Sequence, residues 1–205
     1  MLLADVAAVR ASNVVLASGS PRRVEILNTI LCIGATVVPS TFPEDLDKSA
    51  YSPADYVAEN ARRKADEVAT RLRSAGEAPG CVIGADTVVV HRGRILEKPA
   101  DAAEAEAMLS ALSASEHEVC TGVALIYATG ATRTFVETTR VDFAHIPPAA
   151  IAAYVASGEP FDKAGGYGIQ GLGGAFVSGI RGCYYNVVGF PMHRFCAEFD
   201  LDAAR

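Results

Sequence analysis

Residues 80–90, GCVIGADTVVV, place an aspartate inside an otherwise apolar, β-branched run. Valine and isoleucine at this density favour a strand, and apolar residues on both sides of Asp86 make it a central, buried one. A carboxylate in that setting costs on the order of several kcal/mol unless a cation, a metal or several hydrogen-bond donors meet it. Asp86 is therefore a candidate catalytic or metal-binding group, and the fold must bring it a partner.

The surrounding pattern is that of a mixed α/β chain. NVVLA predicts a strand that passes into a helix from Pro21 to about Leu31, with Ser20 as N-cap and Pro21 at the first helical position. ATVVPS predicts a short strand, and after the acidic, proline-containing loop TFPEDLDKSAYS, Ser52-Pro53 with Asp55 opens a helix to about Arg73. A helix follows over Ala102–Leu112. EHEVCTGVALIYAT and TRTFVETTRVDFAHI then predict a hairpin turning at Gly130. PPAAIAAYVASGEP predicts a helix ended at Gly158, followed by a glycine-rich loop, short strands around AFVSGI and YYNVVG, and a last helix from Pro191. No repeat, low-complexity tract or linker interrupts residues 1–205, which predicts a single domain.

Three further segments bear on Asp86. In SGSPRR, small residues precede a helix start and two cations, Arg22 and Arg23. Such a start is either an ordinary capped helix with solvated arginines or a phosphate cradle, since free amides and the helix dipole favour an anion there. On the 53–73 helix, Lys64 falls in step with the apolar stripe of Val57, Ala61, Val68 and Leu72, so it either snorkels or meets a buried anion. LEKP sets Glu97 and Lys98 just after a turn at Gly93.

Gly166, Gly168 and Gly171 satisfy G-x-G-x-x-G, but that fingerprint should follow a strand and open a helix, and here it follows GEPFDKAG and leads toward a strand. The six glycines between 165 and 174 imply either a tight structural loop or close backbone approach to a ligand, with Gln170 as the one amide side chain. Cations Arg22, Arg23, Lys64 and Lys98 with acids Asp86, Glu44 and Glu97 suit a polyphosphate bound with a metal. There is no Walker A sequence.

Composition narrows the partners. A net charge of −6 opposes a general attraction to nucleic acid or anionic membrane, so any anion site is local. The five cysteines are odd in number and dispersed, as in reduced intracellular proteins, and the four histidines form no zinc pattern. The start MLLADVAAVRAS, with Asp5 and no preceding basic region, is unlike a signal peptide, and no uncharged run approaches about 18 residues. A cytoplasmic protein is expected.

LASGSPRRVEIL, VIGADTVVV, ILEKPAD, HEVCTGVAL and EPFDKAGGYGIQGLGGAFV, in this order from about residue 14 to 195, resemble the sequence blocks of the Maf family of nucleoside triphosphate pyrophosphatases. The resemblance implies an α/β fold with an elongated mixed β-sheet and flanking helices, forming two lobes around a deep cleft, similar to inosine triphosphatases. It implies a house-cleaning hydrolase that uses a divalent metal cation, Mg²⁺ or Mn²⁺, to release pyrophosphate. Ser18, Arg22 and Arg23 match the phosphate-binding signature, Lys64 and Lys98 the basic residues of the site, Asp86 the proton acceptor and Gln170 the residue of substrate choice.

Arg22, Thr87 and Gln170 together resemble the branch acting on dTTP and UTP, where the 7-methyl-GTP branch has Trp, Gln and Glu. One position departs: Thr36 stands where many members have a glutamate, so either Glu44 joins Asp86 as metal ligand in its place or the metal is held by fewer protein ligands than usual. Homodimers occur in the family; no contact patch is legible in this chain. The family's septum-formation phenotype leaves an alternative, a non-enzymatic regulator of cell division acting by partner or nucleotide binding, although such a binder needs no acid in an apolar strand.

Overall fold

The computed structural model describes residues 5–204. The first part of the N-terminal stretch whose acidic start argues against a signal peptide lies outside these residues. Helix α1 (Val6–Ala11), which the pattern of apolar residues did not announce, is capped by the Asp5 carboxylate, accepting from the Ala8 amide at 3.0 Å. β1 (Val14–Leu16) is buried throughout and leads to α2 (Pro21–Val24), which widens into a π-helical segment over Glu25–Ile30. Ser20 stands at the N-cap position without a side-chain cap hydrogen bond. The hydroxyl that accepts here is that of Ser18, from the Ser20 amide at 3.3 Å.

β2 (Thr36–Val37) is followed by α3 (Pro53–Ser74), where the Ser52 hydroxyl accepts from the Asp55 amide. β3 (Cys81–His91) and β4 (Arg94–Leu96) form an antiparallel hairpin. Its two connecting residues, Arg92 and Gly93, both have positive φ, the twist that matches a two-residue hairpin. Then come α4 (Ala102–Leu112), β5 (Glu116–Tyr127), β6 (Thr132–Phe143), α5 (Pro148–Ala156), β7 (Val177–Arg181), α6 (Tyr184–Val188) and α7 (Met192–Glu198).

One expectation fails: YYNVV is the helix α6, not a strand. Short apolar runs do not separate the two states by periodicity, and here a polar residue decides. Asn186 is wholly buried, and its Nδ2 donates to the Val119 carbonyl at 2.9 Å and the Thr139 hydroxyl at 3.0 Å. The strand expected around AFVSGI begins only at Val177, because Leu172–Phe176 coil into a 3-10 segment.

The strands form one seven-stranded mixed sheet in the order β2-β1-β3-β5-β6-β7, with β4 paired to β3. β1 pairs in parallel with both β2 and β3, whereas β6 and β7 are antiparallel. The chain divides into two compact units, and the division falls within β3, after Asp86. The first takes in the chain up to Asp86, Thr121–Glu137 and the chain from Gly189; the second takes in Thr87–Cys120 and Thr138–Val188.

In the first unit, α3 lies on the sheet through small residues. Ala61, Ala65 and Val68 pack with Val15, Val82 and Ala124. The approach is closest at two glycines: a Cβ on Gly84 would sit 2.0 Å from the Ala61 carbonyl oxygen, and one on Gly122 would sit 2.3 Å from that of Val57. Only glycine lets the helix backbone rest directly on the strands.

The second unit has its own core, with Val89, Leu109, Leu112, Val141, Ile151 and Tyr167 among its members. Within it His117 is only 2% exposed, bonds the Tyr167 hydroxyl at 2.7 Å through Nε2, and stands edge-on to Phe143. Burial, with a smaller contribution from His91, lowers its pKa from 6.5 to about 4. The unfolded chain therefore takes up this proton first, so the stability His117 confers is complete above pH 6.5 and is lost as pH falls toward 4. We expect a loss on the order of 3 kcal/mol between pH 7 and pH 4. Urea unfolding at both pH values should show a smaller loss in His117→Gln, and equal losses would refute the assignment.

Candidate active site

On β3, Val82, Gly84 and Asp86 share the face that meets α3. The inward lysine of α3 ends there: Lys64 Nζ lies 2.8 Å from Asp86 Oδ1 and 2.5 Å from Glu44 Oε2. Lys64 and Asp86 are each 7% exposed, so this is a buried ion pair, and Lys64 meets an anion instead of snorkelling. Glu44 arrives from the loop before α3 with its own backbone at φ 55, a strained conformation for a side chain of this size. Its side chain remains about half exposed, so the pair opens to solvent on that side.

The second oxygen of Asp86 is also held. Asn60 Nδ2 donates to Asp86 Oδ2 at 3.1 Å, and Asn60 is 1% exposed. This residue was missed in the sequence, although its signal was present: Asn60 precedes Lys64 by one helical turn on the inner face of α3. A carboxylate gripped at one oxygen by an ammonium and at the other by an amide has a fixed orientation.

Arg23, 9% exposed, anchors the adjoining wall. Its Nε donates to the Gly189 carbonyl at 3.0 Å, and its Nη1 donates to Ser18 Oγ at 3.0 Å and to the Ala85 carbonyl at 2.9 Å. Burial lowers the pKa of this guanidinium, while the nearby charges of Asp86 and Glu44 act in the opposite sense and Arg22 reinforces the lowering. Arg23 thus ties α2, β3 and the segment before α7 together as it brings positive charge toward Asp86. Arg22 is half-buried on the same helix.

Ser18, Arg22, Arg23, Glu44, Lys64 and Asp86 all belong to the first unit, and Thr87, Lys98 and Gln170 to the second. Thr87 follows Asp86 along β3, so pleating turns it to the opposite face. Lys98 is exposed on the turn after β4, next to the buried Pro99. That turn packs on the glycine loop: the Glu97 carbonyl accepts from the Gly165 amide at 3.0 Å, and a Cβ on Gly165, whose φ is +67, would strike Val89 at 2.7 Å. Gln170 is exposed in a turn closed by the Gly171 amide donating to the Gly168 carbonyl at 3.3 Å. The loop leads into a 3-10 segment and then β7, as the rejection of a dinucleotide fingerprint requires.

Two carboxylates converging on one ammonium are the donor set a small divalent cation uses when substrate phosphates supply its remaining oxygens. They do not make an all-protein cage. Among the described residues no three His, Cys, Asp or Glu side chains gather as a metal site, and Thr36, exposed in β2, adds no carboxylate. The residues present therefore fit Mg²⁺ or Mn²⁺ held through Asp86 and Glu44 only in company with a phosphate ligand.

These features define a mixed α/β protein with a buried carboxylate–lysine centre on a middle strand of its sheet. The family model described as Maf-like protein matches residues 13–200, and the chain belongs to the Maf family. It is 48% identical over 183 residues to a dTTP/UTP pyrophosphatase of Clostridium perfringens, covering 89% of this chain and 93% of that protein. It is 47% identical over 194 residues to a dTTP/UTP pyrophosphatase of Bacillus cereus, covering 93% and 97%. A human protein named as a probable bifunctional dTTP/UTP pyrophosphatase/methyltransferase is 50% identical over 195 residues, which are 91% of this chain but only 31% of that protein. Among solved structures, a HAM1 protein from Coxiella burnetii is similar with a TM-score of 0.48 and 18% identity, covering 90% of this chain and 96% of that one.

Proposed function

We propose that the chain hydrolyses nucleoside triphosphates, dTTP and UTP foremost, to the monophosphate and pyrophosphate. The observation that carries this reading is the Lys64–Asp86 pair, a buried carboxylate aligned by Asn60 in a chain whose full-length bacterial relatives bear that activity in their names. Water attacks the α-phosphorus, the bond to the bridging oxygen breaks, and pyrophosphate leaves. Asp86 takes the proton from the attacking water, for which its fixed orientation serves. Lys64, Arg23, Arg22 and Lys98 offset charge on the phosphates, and Ser18 adds a hydroxyl donor. Asp86 and Glu44 would hold a divalent cation together with the substrate, and such a cation, when bound, would further neutralise that charge.

Gln170, with Arg22 and Thr87, selects the base, since an amide both donates to and accepts from a pyrimidine edge. A cytoplasmic setting and a homodimer belong to the same proposal. The described residues include no helix long and apolar enough to cross a membrane, and all five cysteines are free. The alternative of a regulator acting by binding alone is not favoured, because a binder has no use for a buried, oriented carboxylate.

The test is pyrophosphate release from dTTP, UTP, ATP, GTP and 7-methyl-GTP, with and without EDTA. We expect turnover with preference for dTTP and UTP, loss of activity in EDTA, and recovery on adding Mg²⁺ or Mn²⁺. Binding without turnover of any nucleotide would leave the regulator as the reading, and undiminished turnover in EDTA would remove the metal.

A further inference from the structure

Gln170 sits in a glycine-rich loop whose downstream flank is held by one acid and whose upstream flank is held by the tyrosine that donates to that acid. Glu159, just beyond α5, accepts at Oε2 from the Leu172 amide at 2.9 Å and at Oε1 from the Gly173 amide at 3.2 Å. The same Oε1 accepts from the Tyr154 hydroxyl at 3.0 Å, and that hydroxyl in turn accepts from the Gly168 amide at 3.3 Å. Gly168 lies two residues before Gln170, and Leu172 two after it. The turn between them closes on itself through Gly171 and Gly168.

We propose that Glu159 is a positioning residue for base selection, its carboxylate and the Tyr154 hydroxyl together fixing both flanks of the turn that presents Gln170. The inference rests on Gln170 reading the nucleotide base, as proposed above. The glycines of the motif agree with it. A Cβ on Gly171 would lie 2.4 Å from Glu159 Oε1, and one on Gly168 would lie 2.4 Å from Lys163 Cε. Lys163 is itself bound to the Glu159 carbonyl at 2.7 Å. Glycine at 171 thus leaves room for the Glu159 carboxylate, and glycine at 168 leaves room for the Lys163 side chain beside it. Burial raises the Glu159 pKa, but the Leu172 and Gly173 amides with Tyr154 outweigh it and leave the carboxyl below its ordinary value. The anchor is thus an anion at neutral pH.

Amide hydrogen exchange, together with kcat and KM for dTTP and GTP, tests the assignment in Glu159→Ala, Glu159→Gln and Tyr154→Phe. In Glu159→Ala the Leu172 and Gly173 amides should exchange about tenfold faster with β3 unchanged, the scale of one lost charge-assisted hydrogen bond. KM for dTTP should rise about tenfold with kcat nearly constant, and the kcat/KM preference for dTTP over GTP should fall by about the same factor. Glu159→Gln should recover part of both effects, because its amide oxygen can still accept while its NH₂ opposes one backbone donor. Tyr154→Phe should release Gly168 alone.

Unchanged exchange at Leu172 and Gly173, or loosened amides with an unchanged dTTP-to-GTP ratio, overturns the role of Glu159. If Glu159→Ala does not fold, the same readings on the other two variants decide. A wild-type protein that releases no pyrophosphate from any nucleotide sinks the proposed function and the selectivity role with it. An active wild type matched by its Glu159 variants sinks only the latter.

Discussion

Asp86→Asn should lower kcat for dTTP by about 10²- to 10⁴-fold, the range that a positioned general base contributes. The substitution preserves volume and leaves an oxygen for one of the two groups that grip this position. The other must then face the new NH₂. Either Lys64 Nζ or Asn60 Nδ2 loses its acceptor, and Lys64 keeps Glu44 as its carboxylate partner. Some stability goes with the charge, so the measurement pairs kcat with a thermal midpoint. A folded variant with near-wild-type turnover would remove Asp86 from the mechanism.

Gly84→Ala should damage stability and activity together, for one geometric reason. The new methyl carbon would lie 2.0 Å from the Ala61 carbonyl oxygen and 2.9 Å from the Ala65 amide nitrogen, so helix backbone, not a yielding side chain, is in the way. Overpacking of a core costs roughly 1–3 kcal/mol, and backbone that has to move puts this site at the upper end. For a chain of this length that corresponds to a midpoint lowered by roughly 6–12 °C. Because Asn60 and Lys64 flank Ala61 on α3, the helix cannot retreat without drawing both away from Asp86. A misplacement of about 1 Å is enough to reduce kcat by about 10²-fold. An alanine variant that melts and turns over like the wild type would show that α3 need not rest on the strand.

Much of this was legible in the residues because burial penalties are severe. An aspartate within VIGADTVVV had to find a partner, and a lysine in phase with Val57, Ala61 and Val68 had to point inward; the structure joins the two. The cap at Ser52 and the stop at Gly158 follow from local chemistry alone. What escaped the sequence depends on contacts remote along the chain. Asn60 shares the inner face of α3 with Lys64, but that its amide meets Asp86 shows only once β3 lies beneath it. YYNVV is aromatic and β-branched enough for a strand until Asn186 is drawn to Val119 and Thr139. Nor could the sequence show that a carbonyl 166 positions away takes one of the hydrogen bonds of Arg23.

Lys64 is shared by two carboxylates of unequal freedom, the buried Asp86 and the half-exposed Glu44. Arg23 and Lys64 against Asp86 and Glu44 sum to zero charge, on a chain whose total is −6. Such a centre exerts little pull on a distant polyanion, so capture depends on an exchange of partners at short range. Glu44 is the member able to leave. Under the proposed function its place on Lys64 passes to a phosphate oxygen, so this self-neutralised centre would answer only a ligand that brings enough contacts to displace Glu44.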